Sequence, residues 1–159
     1  MSADFAEFDL LDERPNAEIV MALADLLQVA TECFLPQDDF WAGSLDATRA
    51  VAFEASRFAD GARVFVRLTG NFDLPPVAGL GHALCLKLRT PVVVGDEGRR
   101  PPGAVLVFYP EGRVEEGIEI PSGGGGHKFE LLDEVDLRRV PGLDDAAGPM
   151  SGQFCDPTL

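Results

Sequence analysis

The chain has 159 residues, a size typical of one domain, and its hydrophobic fraction of 46% is ordinary for a folded globular protein. Its 27 Asp and Glu residues outnumber its 13 Lys and Arg residues, which gives a formal net charge of −14 at pH 7. This charge argues against nucleic acids and anionic membranes as partners, because both attract proteins through Lys and Arg. A basic protein or a cationic ligand would be attracted instead.

Residues 1–15 are acidic with scattered apolar side chains, and we predict an N-terminal arm lying on a single α+β domain of residues 16–140. The segment lacks the basic and apolar regions of a secretory signal, and no apolar run reaches the roughly 18 residues of a membrane span. Residues 141–159 are rich in Gly, Pro and Asp, which predicts a loosely held C-terminal tail. These features favour a cytoplasmic protein.

The first predicted helix follows Pro15 and Asn16, and Pro36 ends its pattern. Apolar residues recur there at three- and four-residue spacing from Ile19 to Ala30. Residues 37–47 then have the composition of a loop and contain the only Trp of the chain.

Two β-prone runs flank an Asp-Gly step at residues 60–61, which is a recognised hairpin signal. In the second run, Val64, Val66 and Leu68 alternate with more polar positions, so one face of that strand should be buried. The alternative is a helix over residues 45–59, since Ala and Glu are common there.

A second helix is predicted from Val77 to Arg89, ended by the Thr-Pro step that follows. Strands are then predicted at 92–95, 104–109 and 113–120, with a turn at 110–112 between the last two. The alternation in the third strand should project Glu115 and Glu119 from one face.

Residues 122–128, SGGGGHK, have the composition of a flexible linker, and 128–140 could form one more strand or a short helix. The element order α-β-β-α-β-β-β, with an uncertain last element, predicts a largely antiparallel sheet. We expect about five to six strands with two main helices against one face, which is an α+β fold.

No catalytic, cofactor-binding or metal-binding residue is predicted. His82 lies among apolar neighbours on the second helix, and His127 follows four glycines in a segment expected to be too mobile to hold a general base. Neither histidine has a metal ligand at a recognised spacing. His82 and Cys85 are three residues apart, but the leucines beside the cysteine disfavour thiolate activation. The tetraglycine lacks the Gly-Lys-Ser/Thr ending of a phosphate-binding loop.

The excess of carboxylates leaves two interpretations, a solvated surface and a docking surface for a partner. Acidic side chains near aromatic ones favour docking, because both are typical of tight protein interfaces. The candidate partner-binding residues are Asp38, Asp39, Trp41, Glu111, Glu115 and Glu119.

From Leu80 to Ile120 the chain runs through a helix ending HALCLKLRT, the strand VVVGDE, a Pro/Gly loop, then AVLVFY and PEGRVEEGIEI. This order resembles small cytoplasmic immunity proteins that neutralise bacterial polymorphic and contact-delivered toxins. The resemblance implies a non-enzymatic protein that covers the active site of a cognate toxin, with an acidic surface that matches a basic cleft. No functional residue carries over from it, because no residue-level motif is shared.

Two alternatives remain open at this level. A secretion chaperone or adaptor for an effector would also be small, acidic and α/β, and commonly dimeric. A small enzyme of unrecognised type would require a pocket in which a histidine or a carboxylate pair has a strongly shifted pKa. The sequence is compatible with a monomer and with a homodimer.

Overall fold

A computed structural model describes residues 4–43, 49–95, 103–120 and 126–135 of the chain. These residues form an α+β fold with one sheet, as predicted. The described helices are α1 (Asn16–Leu27), α2 (Gln37–Ala42) and α3 (Val77–Leu88), with a 3-10 turn at Thr31–Cys33. The described strands are β1 (Asp4–Leu10), β2 (Phe34–Leu35), β3 (Val51–Arg57), β4 (Val64–Gly70), β5 (Val92–Gly95), β6 (Ala104–Phe108), β7 (Val114–Ile120) and β8 (Lys128–Val135).

The strand order in the sheet is β2-β3-β4-β1-β5-β6-β7-β8. Every neighbouring pair is antiparallel except β2 and β3, which are parallel. The prediction of a largely antiparallel sheet is therefore confirmed. The predicted number and order of strands were wrong, because β1 and β2 were not recognised and β8 was left undecided.

Residues 4–10 are not an arm on the surface but a strand in the middle of the sheet, between β4 and β5. Ala6, Phe8 and Leu10 are buried on one face of β1, while Glu7 and Asp9 point to the other face. This period of two is the pattern of a strand. The proposed tail at 141–159 lies outside the described residues.

Helices α1 and α3 cover one face of the sheet. α3 packs on β1, β5 and β6, and α1 packs on α3. Both helices end at a residue in the left-handed region, Gln28 (φ 57°) and Arg89 (φ 55°). α1 therefore stops before the end of the apolar pattern that predicted it. None of the helices within the described ranges has the length and hydropathy needed to cross a bilayer.

Gly81 of α3 shows why a glycine is used at this helix–sheet contact. A Cβ placed there would lie 2.5 Å from Cγ1 of Val94 on β5. The missing side chain lets the helix approach the sheet closely, and the packing offsets the poor helix propensity of glycine.

The hairpin predicted around residues 60–61 is confirmed, since β3 and β4 pair from Val51↔Gly70 to Arg57↔Val64. The helical alternative was wrong for residues 51–57, and 44–48 lie outside the described residues. The loop predicted at 37–47 was wrong for 37–42, which form α2. Asp38 and Asp39 in the first turn of α2 favour a helix there through its dipole, and Phe40 anchors it by burial.

The last described segment settles one open choice, because residues 128–135 form a strand and not a helix. β8 pairs with β7, and the register shifts between Glu115 and Gly117. Just before β8, the carbonyl of His127 accepts a 2.8 Å hydrogen bond from the N–H of Ala62, in the turn after β3. The sheet is thus curved, and the start of β8 returns to the β3–β4 turn.

Candidate functional site

The face of the sheet opposite α1 and α3, which we call the concave face, carries an apolar floor. Val93 of β5 and two valines of β6, Val105 and Val107, are buried there, and Tyr109 and Phe129 pack against them. Since these side chains alternate with those facing α3, the two strands are apolar on both sides. The polar groups of the concave face lie at the margin of this apolar floor.

The central polar contact of the concave face joins Asp9 and His127. The Nδ1 atom of His127 lies 2.8 Å from Oδ1 of Asp9, and Asp9 is only 8% exposed. The imidazole stacks on Phe58 with ring centroids 5.7 Å apart and meets the edge of Phe65 at 4.8 Å. These ring contacts, together with the hydrogen bond between the His127 backbone and Ala62, hold the imidazole in place.

This geometry corrects the expectation for residues 126–128, which were assigned to a flexible linker. The remaining residues of that segment, 122–125, lie outside the described part of the chain. Gly61 has φ of 69°, and a Cβ there would overlap the carbonyl oxygen of His127. The β3–β4 turn therefore fits closely against the residue that precedes β8.

The environment of Asp9 perturbs its titration. Burial raises the pKa of Asp9 to about 6, although the neighbouring His127 acts in the opposite direction. The negative charges of Glu119 and Glu7 add to the rise. Desolvation disfavours the charged form of a carboxyl, and nearby like charges do the same. Asp9 therefore exchanges its proton much closer to neutral pH than an ordinary aspartate.

A cavity of about 460 Å³ opens next to this pair. Among the described residues, the carboxylates that line it are Glu7, Asp9 and Glu119, and the one arginine is Arg67. Arg67 is held by Glu7 at 2.8 Å, so its charge is matched locally. Glu119 is exposed and makes no ion pair within the described residues. The described lining therefore has an acidic excess, and Glu119 is its carboxylate without an ion pair in the described ranges.

Aromatic and apolar groups complete the lining of the cavity. Phe65 of β4 and Phe129 of β8 contribute rings, and Val93 and Val105 form the base. Carboxylates beside aromatic faces suit a guanidinium or ammonium group, which gains both charge pairing and cation–π attraction. The arrangement can thus hold the end of an arginine or lysine side chain.

The six candidate partner-binding residues fall in three separate places. Asp38, Asp39 and Trp41 lie on α2, which packs on β3, and Trp41 meets the buried Phe40 edge-on at 5.0 Å. All three are exposed. Four strands separate β3 from β7, which carries Glu115 and Glu119.

Glu111 and Glu115 belong to a second group, organised by Arg113. This guanidinium contacts Glu111 at 3.0 Å and Glu115 at 2.7 Å, and it lies 3.7 Å from the ring centroid of Tyr109. The hydroxyl of Tyr109 donates a 2.7 Å hydrogen bond to Glu115. Burial raises the pKa of Tyr109 to about 12, and the Glu115 contact adds to the rise. Glu115 is therefore already engaged.

Glu119 is the one candidate that reaches the cavity. Glu115 and Gly117 pair with Val107 and Val105 of β6, so alternation places Glu115 and Glu119 on the concave face together. The sequence pattern predicted this shared face correctly. The cavity residues that sequence reasoning missed are Glu7, Asp9, Arg67 and His127. The alternation along β1 could have identified the first two.

His82 and Cys85 of α3 both contact Phe108 of β6. The Sγ atom of Cys85 donates to the carbonyl oxygen of Phe108 at 3.3 Å, and burial raises the pKa of this thiol to about 12. The ring of His82 packs on that of Phe108 at 5.3 Å, and burial lowers the pKa of His82. Both side chains pack α3 against β6.

In the parts of the chain that the structure describes, no three His, Cys, Asp or Glu side chains are arranged to hold a metal ion. Comparison with protein-family models, with curated proteins and with solved structures finds no match to this chain. The concave face is therefore the feature of this chain from which a function can be inferred.

Proposed function

We propose that this chain binds a basic protein partner and inhibits it, in the manner of the toxin immunity proteins that residues 80–120 resemble. The observation that carries the proposal is the convergence of Glu7, Asp9 and Glu119 on one cavity, in which Arg67 is the one arginine among the described lining residues. In this view the concave face receives a Lys or Arg side chain from the active-site cleft of the partner.

Both the net charge of the chain and the individual charges at the cavity support this proposal. The net charge of −14 attracts a basic partner over distances comparable to the Debye length, which is about 8 Å at physiological ionic strength. At contact, Glu119, which makes no ion pair within the described ranges, can pair with an entering cation, whereas Glu7 and Asp9 are engaged by Arg67 and His127. A hydrogen bond to a charged group contributes about 1.5–3 kcal/mol, so one such contact is significant for affinity.

Inhibition would follow from occlusion. A cleft that acts on a nucleic acid or a nucleotide needs cationic groups, and an acidic surface placed on them excludes the substrate. The inhibitor then needs no reactive group of its own. The exposed Asp38, Asp39 and Trp41 on α2 are separate from the cavity in the sheet order and would form a secondary contact at most.

A small enzyme is the second candidate, because Asp9 and His127 form a hydrogen-bonded pair beside a cavity. Such a pair could act as a general base. None of the described residues lining the cavity is Ser, Thr, Cys or Lys, so the lining supplies no nucleophile of those types. The described lining therefore favours binding of a cation over catalysis by a side-chain nucleophile.

The test is capture of the partner by charge-matched variants. The immobilised chain, Glu119→Lys and the control Glu18→Lys would be exposed to extract of the source cells at low and high salt, and the bound proteins identified. Glu18 is exposed in the first turn of α1, which lies on the helical side of the sheet. We expect a basic protein, retained by the wild type and the control but lost from Glu119→Lys.

The captured protein would then be purified and its activity measured with each variant added. Inhibition by the wild type and by Glu18→Lys, but not by Glu119→Lys, supports the proposal. Equal capture by all three proteins, or capture without inhibition, contradicts it.

A further inference from the structure

The two edges of the described sheet differ strongly. β2 forms one edge with two residues, whereas β8 forms the other with eight, Lys128–Val135. Short strands protect a sheet edge, but a long edge strand offers unpaired backbone N–H and C=O groups to another chain. Among the described strands, β8 is therefore the one suited to accept an added strand.

Apolar side chains are exposed along the same edge. Leu131 and Leu132 of β8 are 46% and 50% exposed, and Ile120, at the end of the adjacent β7, is 38% exposed. Isolated exposed apolar residues are ordinary, but Leu131 and Leu132 are adjacent on the edge strand itself, and Ile120 lies on the strand next to it. They give an added strand apolar surface to bury as well as backbone groups to pair.

The exposed charged side chains described on β8 are mainly negative. Edge strands are commonly protected by lysine, but Lys128 lies 3.3 Å from Asp60 in the β3–β4 turn. Glu130 and Glu134 are exposed further along the strand. The edge therefore combines apolar and negative groups, which complement a strand in which apolar residues alternate with Lys or Arg.

We propose that β8 docks an extended segment of the protein partner, in which basic and apolar residues alternate. This inference rests on the proposed function and specifies how the partner is held. A second copy of the chain fits less well, because it would bring another net charge of −14 and its own Glu130 and Glu134 to the same edge. The register shift between β7 and β8 places the regular part of the edge at residues 128–131.

The experiment uses the full chain and three synthetic ten-residue peptides. One alternates Val and Lys, the second alternates Val and Glu, and the third is the Val-Lys peptide with N-methylated backbone amides on alternate residues. Binding is measured by calorimetry, and hydrogen exchange of β8 is followed with and without each peptide. We expect binding and protection of β8 amides with the Val-Lys peptide, and no binding with the Val-Glu peptide. N-methylation should weaken binding roughly tenfold or more, since it removes strand hydrogen bonds.

Two variants locate the site. Leu132→Lys places a positive charge beside the lysines of the peptide and should abolish peptide binding. The fold should tolerate this substitution, because the Leu132 side chain is 50% exposed. Glu119→Lys serves as the comparison on the concave face and should reduce peptide binding much less. Equal binding of the N-methylated peptide, or unchanged β8 exchange, overturns the proposal. A concentration-dependent dimer that Leu132→Lys abolishes also overturns it, because the edge would then belong to a second copy.

The outcomes separate this inference from the proposed function. If Glu119→Lys loses the partner but the peptides do not bind β8, the inhibitor proposal stands and the docking edge is rejected. If the peptide binds β8 but no basic partner is captured, β8 keeps its assignment as a strand-binding edge and the inhibitor proposal is rejected.

Discussion

Nδ1 of His127 lies 2.8 Å from Oδ1 of Asp9, although 118 positions separate the two residues in the chain. The contact joins the middle strand of the sheet to the residue that precedes the last described strand. It also fixes one wall of the acidic cavity on the concave face. The same pair therefore links two distant parts of the curved sheet and places a carboxylate in the cavity.

The first prediction concerns the stability supplied by His127. His127→Ala removes the hydrogen bond to the buried Asp9 and the contacts with Phe58 and Phe65. Leaving a buried polar group without its partner costs about 1–3 kcal/mol, so the free energy of unfolding should fall by that amount. Urea denaturation measures it. Asp25→Asn, which removes an exposed pair with Lys87, is the control and should cost less than about 1 kcal/mol.

The second prediction concerns the titration of Asp9. Its pKa in the folded protein is about 6, raised from 3.8 by burial, so the folded state binds this proton more tightly than the unfolded state. The contribution of Asp9 to stability should therefore decrease as pH rises from about 4 to 6. The measurement is the difference in unfolding free energy between wild type and Asp9→Asn across that range, in which the carboxylates remote from Asp9 cancel. A difference that does not vary with pH would contradict the raised pKa.

Titration of Asp9 in a His127 variant separates the effect of burial on the Asp9 pKa from the effect of the histidine. His127 lowers the pKa of Asp9, both by its charge and by its hydrogen bond. In His127→Ala the pKa of Asp9 should therefore rise above its wild-type value. Carbon-13 NMR of the Asp9 carboxyl measures both values. A lower pKa in the variant would contradict this prediction and mean that solvent admitted by the smaller side chain outweighs the loss of the His127 contact.

The third prediction tests the contact of α3 with the sheet. Gly81→Ala places a methyl group against Val94, and overpacking a core costs about 1–3 kcal/mol even though alanine is the better helix former. Gly95→Ala is the matched control, since a Cβ there meets no atom within 4 Å. Thermal unfolding should show a clear decrease in Tm for the first variant and little change for the second. Equal Tm values would show that α3 does not need this close approach.

The fourth prediction concerns Cys85. Its thiol is fully buried and its pKa is raised to about 12, so almost no thiolate is present at pH 8. Iodoacetamide should leave Cys85 unmodified in the folded protein and alkylate it in urea, as read by peptide mass spectrometry. Modification of Cys85 at a similar rate in both conditions would contradict the burial.

Local patterns predicted much of the fold. The sequence predicted α1, α3 and the β3–β4 hairpin because the apolar residues that define each element lie close together in the chain. Leu80 and Leu84 of α3 are one example, and Val64 and Val66 of β4 are another. β1 was missed because its acidic positions, Glu7 and Asp9, resemble a solvated arm when read without their strand neighbours. α2 was missed because six residues give little periodicity and one buried side chain, Phe40, decides its placement.

The candidate site depends on contacts that no local pattern contains. Arg67 meets Glu7 across 60 positions, and His127 meets Asp9 across 118. Glycines before His127 indicated mobility, yet Gly126 fits against Asp60, where a larger residue would be crowded. Glu119 was identified from strand alternation, but its neighbours in the cavity required the order and curvature of the sheet.

The most direct test of partner binding at the concave face is an NMR titration of the isotope-labelled chain with the captured basic partner. We predict that the largest amide shifts fall on residues of the concave face, above all Glu7, Asp9, Glu119 and His127, and that Glu119→Lys abolishes them. Shifts confined to α2 around Asp38, Asp39 and Trp41, with the concave face unchanged, would contradict it.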